Sequence, residues 1–144
     1  MKLAIDFAGG ERLTADFLKD RVKQTTECVV NAAPLKATVY QARWSGREIF
    51  SPIALPKKPP RENQTIRAAK GDVIYFCEWP GSYDFTGFEA IGMFYGNEIV
   101  REWRGDSPVN VFARIDSSQF PLLETIGERV WRKGGEAITF SVIE

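Results

Sequence analysis

Residues 70–96 read KGDVIYFCEWPGSYDFTGFEAIGMFYG, and the fold turns on them. Two apolar runs, Val73–Cys77 and Ala90–Tyr95, flank a loop rich in aromatic residues and glycine. Each run has strand length, carries β-branched and aromatic residues, and is bounded by glycine or charge. Neither alternates between apolar and polar, so the pattern predicts strands buried on both faces. A closed barrel with capping helices would supply that cover.

Upstream, Ala37–Arg43 and Arg47–Phe50 read as a hairpin around the turn Trp44-Ser45-Gly46. Residues 51–63 hold Pro52, Pro56, Pro59 and Pro60 with Lys57, Lys58 and Arg61, the composition of an exposed, extended loop. Residues 64–68 form a short strand. At the N-terminus, Leu3, Ile5, Phe7 and then Leu13, Ala15, Phe17 alternate across Gly9-Gly10, which predicts a second hairpin. A helix follows over 24–33, with Thr25 or Thr26 as its cap and Pro34 as its stop. Downstream, 96–107 is a polar, irregular loop, and Val109, Val111, Ala113 and Ile115 alternate as a strand. A helix over 120–133 carries Leu123, Ile126 and Val130 on one face, and residues 137–143 close the chain as a strand. The sum is a mainly β chain, one domain over residues 1–144: a closed antiparallel barrel of about eight strands with two capping helices.

Composition narrows the function. Nineteen Lys and Arg balance nineteen Asp and Glu, which argues against nucleic acid or an anionic membrane as partner. The Lys57-Lys58…Arg61 run is short and lacks interleaved aromatics, so it reads as a solvated loop. The N-terminus meets charge and Gly-Gly too early for a signal-peptide core, and no apolar run approaches membrane-span length, so a cytoplasmic location is expected. Cys28 and Cys77 read as buried thiols of a reducing compartment, with one bridge between them as the alternative. There is no histidine at all. A Cys–His nucleophile is thereby ruled out, the Asp and Glu spacing fits no calcium loop, and neither metal nor cofactor is expected. Glu78, Asp84 and Glu89 read best as solvated loop charges.

The opening, LAIDFAGGERLTADFLKDRVKQTTECVVNAAP, resembles the first hairpin and helix of cyclophilins. ARWSGREIFSP, ENQTIRAAKGDVIYFCEWPG, IGMFYG and SPVNVFARI are similar to segments of small bacterial cyclophilin-like proteins of uncharacterised function. The resemblance runs in order from about Leu3 to Ile115 and implies the eight-stranded cyclophilin-type barrel. It also has departures. Prolyl isomerases of this type carry a Phe-His-Arg strand followed by Phe-Met-x-Gln-Gly-Gly-Asp. Residues 40–50 here offer Arg43 without the Gln-Gly-Asp run.

The resemblance implies a groove across one barrel face. Matching by order puts Arg43, Glu48 and Phe50 on one wall, Asn110 and Phe112 on the other, and the loop of Trp79 and Tyr83 at the rim. Trp44, a large aromatic at a turn, is expected to cover something. Tyr95 fits a core position better than a ligand contact, but it is kept among the candidates. Such a groove suits a small-molecule or peptide ligand, with Arg43 binding a carboxylate or carbonyl. The plainer reading makes Arg43, Arg47 and Glu48 cross-strand surface pairs, and Arg43 a stacking partner of Trp44. Two other functions stay open: a weak peptidyl-prolyl isomerase, and an assembly subunit, including a homo-oligomer, that uses the 79–88 loop as its interface.

Overall fold

The computed structural model describes residues 1–79 and 87–144. The chain opens with β1 (Lys2–Phe7) and β2 (Arg12–Phe17), followed by α1 (Lys23–Ala32), β3 (Leu35–Gln41) and β4 (Glu48–Pro52). Two short pieces, β5 (Gln64–Thr65) and β6 (Arg67–Ala68), precede β7 (Asp72–Cys77) and β8 (Glu89–Phe94). An arm of β9 (Glu98–Ile99), β10 (Arg101–Glu102) and β11 (Gly105–Asp106) leads to β12 (Val109–Ile115), α2 (Phe120–Lys133) and β13 (Glu136–Ile143).

Eight strands run in the order β2-β1-β13-β3-β4-β8-β7-β12, and β12 pairs back onto β2 to close the barrel. The seam is antiparallel, with Ala113 opposite Phe17 and Ile115 opposite Ala15. A register shift between Val111 and Ala113 interrupts the β12–β7 ladder. That bulge lets Phe112 and Ala113 both reach the interior.

Strand parity sorts the side chains into two sets. Val73, Tyr75 and Cys77 of β7, with Ile91 and Met93 of β8, point inward to the main core. There they meet Leu3, Ile5, Phe112 and Phe140, all fully buried. The helices plug this interior, α1 through Cys28 and Val29, α2 through Leu123, Ile126 and Val130. Ile74, Phe94, Val109 and Val111 face the other way and form a separate cluster with Ala68 and Val100. Both faces of the central strands are therefore covered, as their unbroken apolar pattern predicts. The outer face is covered by β6 and the arm rather than by a helix.

Three local expectations need correction. Neither Thr25 nor Thr26 caps α1 with its side chain. Thr26 Oγ1 instead donates back to Val22 O at 2.9 Å, and the Thr25 N–H is taken by the carboxylate of Glu62 from the proline-rich loop. That loop is not simply exposed, because Leu55 and Pro59 are buried against the barrel end. Glu89 is no solvated loop charge. Its Oε1 accepts from Tyr75 Oη at 2.7 Å and from the Leu55 N–H at 3.2 Å, while Lys58 Nζ reaches Oε2 at 2.5 Å. Cys28 and Cys77 are both buried and unbridged. Among the described residues no helix is long and apolar enough to cross a membrane.

Candidate functional site

The β3–β4 turn is held closely enough to place side chains. Glu48 N–H donates to Gly46 O, and Ala42 N–H donates to Glu48 O, each at 2.8 Å. The arm is fastened to this turn at two points. Ser45 Oγ both donates to Arg101 O and accepts from Arg101 N–H at 2.9 Å. Glu98 Oε2 receives Arg47 N–H at 2.9 Å and Arg47 Nε at 2.8 Å. Arg47 is therefore a tether.

Between this arm and the outer faces of β4, β8, β7 and β12 lies a cavity of about 360 Å³. Its floor is apolar: Ile74, Phe76, Ala90 and Val109, roofed by Val100. An aromatic wall lines one side, where Phe88 packs against Phe50 at 6.3 Å and Phe76 at 6.1 Å between ring centroids. Arg43, Trp44 and Trp103 stand at the mouth, and all three are exposed. Arg43 lies over the Trp44 ring at 5.7 Å.

Glu48 lines the same cavity, and the residue is 7% exposed. It sits opposite Phe94 in the β4–β8 ladder and leans across Gly92. A Cβ at Gly92 would come within 2.5 Å of Glu48 Oε2, so glycine keeps the carboxyl's place open. Burial pushes the Glu48 carboxyl up to about 8, against the smaller lowering effect of the neighbouring Ser45 hydroxyl. Glu78 and Glu102 approach the cavity as well, but both bind Arg104: Glu102 Oε2 at 3.1 Å and Glu78 Oε1 at 3.5 Å from Nη2. Glu48 alone of these three carboxyls pairs with no Lys or Arg among the described residues. A polar group kept in an apolar hollow without its counter-charge is a common mark of a ligand site.

The structure thus brings together four of the residues singled out from sequence: Arg43, Trp44, Glu48 and Phe50. It separates the others from them. Asn110 and Phe112 fall on the inward parity of β12, behind the cavity floor. Asn110 is fully committed there: Nδ2 donates to Thr25 Oγ1 at 3.0 Å and Pro60 O at 2.9 Å, while Oδ1 accepts from Glu62 N–H and Gln64 Nε2 at 3.1 Å. Trp79 continues the inward row Val73-Tyr75-Cys77 and is buried, not at a rim. Its Nε1 donates to Pro59 O at 2.9 Å, and its ring meets Tyr75 and Phe76 edge-on. Tyr95 also faces inward. Its hydroxyl donates to Gln41 Oε1 at 2.6 Å, and its ring occupies the space left by Gly127 of α2. Tyr83 lies outside the described residues.

Sequence reasoning missed the arm. Val100, Trp103 and Arg104 sit in a stretch read as polar loop, and Glu78, read as solvated, is 8% exposed. The available signal was the Ile99-Val100 pair and Trp103, apolar residues that a solvated loop does not need.

Several solved structures resemble this one, three of them as follows. McbB, solved in complex with tryptophan, superposes with a TM-score of 0.74 at 15% identity, covering 99% of this chain and 46% of McbB. The chain thus spans about half of McbB. The solution structure of the hypothetical protein AF2241 from Archaeoglobus fulgidus gives 0.62 at 22% identity over 98% of this chain and 93% of that one. The Mimivirus cyclophilin gives 0.56 at 12% identity, covering 97% and 85%. These likenesses establish the cyclophilin-like barrel. A search of curated proteins finds no match to the chain. At the level of sequence, the family described as "Protein of unknown function (DUF3830)" matches residues 3–142, and the chain belongs to that family.

Proposed function

We propose that this protein binds a small molecule in the outer-face cavity. The observation that carries the reading is an apolar hollow of about 360 Å³ holding one buried carboxyl, Glu48, that no described cation neutralises. That volume lies within the range of small-molecule sites, and one polar group in an apolar enclosure fixes orientation. Phe50, Phe76 and Phe88 enclose the ligand body, and Arg43 at the mouth binds a carboxylate or carbonyl of the ligand. The tryptophan complex of McbB, built on the same type of barrel, agrees with a small-molecule role.

Thermal-shift screening with small carboxylates, amides and short peptides tests the proposal. A stabilising hit that is weakened by both Arg43→Ala and Phe50→Ala is expected. Hits indifferent to both variants would place binding elsewhere. The isomerase reading draws less from this site, since its inner end carries Glu48 and Glu78 where a proline ring needs an apolar pocket. A proline-peptide assay is expected to show only the uncatalysed rate.

A further inference from the structure

We infer that the cavity selects ligands carrying a protonated amine, whose ammonium group seats on the Glu48 carboxylate while the apolar body lies along Phe50, Phe76 and Phe88. The inference rests on the small-molecule reading above and specifies its ligand class.

The argument is one of charge placement. Three carboxyls and three guanidiniums line the cavity: Glu48 from β4, Glu78 beyond β7, Glu102 and Arg101 from β10, Arg104 from the arm, and Arg43 from the β3–β4 turn. From β8 and β12 the lining residues are Ala90 and Val109, which are uncharged. Arg104 is engaged by Glu102 and Glu78. Arg101 turns toward Asp106, 3.8 Å away, and Arg43 stacks on Trp44. Glu48 is therefore the one lining carboxyl left without a cation, while each lining guanidinium has an anionic or aromatic neighbour among the described residues. A ligand that brings its own cation to the inner end completes the pairing.

Proton balance gives the inference a distinctive signature. In the empty protein burial keeps Glu48 protonated at neutral pH. When an ammonium ion enters, the O–H bond of Glu48 breaks, the carboxylate pairs with the ammonium, and the proton leaves to the buffer. Affinity then rises ~tenfold per pH unit until the carboxyl is already ionised in the empty site. A ligand bound through the neutral carboxyl, which would donate its O–H to a carbonyl, releases nothing.

Calorimetry on the full chain distinguishes these cases with three probes sharing one body: 2-phenylethylamine, 2-phenylethanol and 3-phenylpropionate. The expected result is amine binding at least ~tenfold tighter than the alcohol, with close to one proton released at pH 7 across buffers of different ionisation enthalpy. Affinity for the amine should climb between pH 6 and 8, and Glu48→Gln should remove both the amine preference and the proton release. The pH series on the unmodified protein needs no variant to fold. If the alcohol or the propionate binds as well as the amine, the amine inference is overturned and the small-molecule site stands. If none of the three binds, the amine inference is overturned, and only a hit from the wider screen can sustain the site itself.

Discussion

Two buried carboxyls, Glu48 and Glu89, head neighbouring strands of the same sheet and meet opposite fates. They are 7% and 3% exposed, so burial does not separate them. Glu89 faces the barrel interior, where a tyrosine hydroxyl, a backbone N–H and a lysine ammonium converge on it. Glu48 faces outward beneath the arm, with aromatic and aliphatic neighbours and no described cation. One carboxylate joins the proline-rich loop to the barrel. The other joins nothing by an ion pair among the described residues, and in the proposal above a ligand supplies its counter-charge. Whether the local groups complete its pairing is what distinguishes a structural charge from a recognition group.

The contrast breaks first at Glu89. Glu89→Ala would leave the Tyr75 hydroxyl, the Leu55 N–H and the Lys58 ammonium without their acceptor, at a cost of about 3–5 kcal/mol in denaturant unfolding. A loss under about 1 kcal/mol would make Glu89 as dispensable as we hold Glu48 to be.

Glu48→Gln should act in the opposite direction, and with pH. The folded protein holds the Glu48 proton up to about 8, whereas an ordinary carboxyl releases it near 4.5. The unfolded state therefore binds fewer protons through this window, and rising pH disfavours folding. Below both values the wild type and Glu48→Gln should unfold alike. By pH 8 the variant should be the more stable, by about 2–3 kcal/mol once water penetration reduces the ideal shift. Urea titrations at several pH values check this, and a gap that does not change with pH would contradict it.

Asn110 sharpens the comparison from the satisfied side. With four hydrogen bonds joining α1, the proline-rich loop and β5, Asn110→Ala should cost about 2 kcal/mol or more. It should leave ligand affinity unchanged, because the side chain lies behind the cavity floor. Arg43 gives the smallest structural effect. Arg43→Ala should leave the unfolding midpoint where it is and weaken carboxylate ligands by ~tenfold, the loss of one charge-assisted contact.

The strands β7 and β8 were legible because a strand buried on both faces leaves an unbroken apolar run. The helix over 120–133 was legible because its period, its Pro121 and its Gly134 all agree. Parity was harder to read. One residue of register decides whether Trp79 or Asn110 faces a ligand or the core, and the bulge after Val111 resets the count in a way composition does not reveal. The arm was harder still, since its short strands carry too few residues for any period to show. Glu48 was named as a candidate, but its isolation was invisible, because it depends on which partners Arg104, Arg47 and Arg101 take from distant parts of the chain.

The central claim is that Glu48 is a buried carboxyl held without a counter-charge until a ligand supplies one. Its most direct test is a carbon-detected NMR titration of the Glu48 side-chain carboxyl in the ligand-free protein. A midpoint near 8 is expected, moving down when a binding amine is present. A midpoint near 4.5, the ordinary carboxyl value, would show that solvent or a cation already serves this group, and would contradict the account.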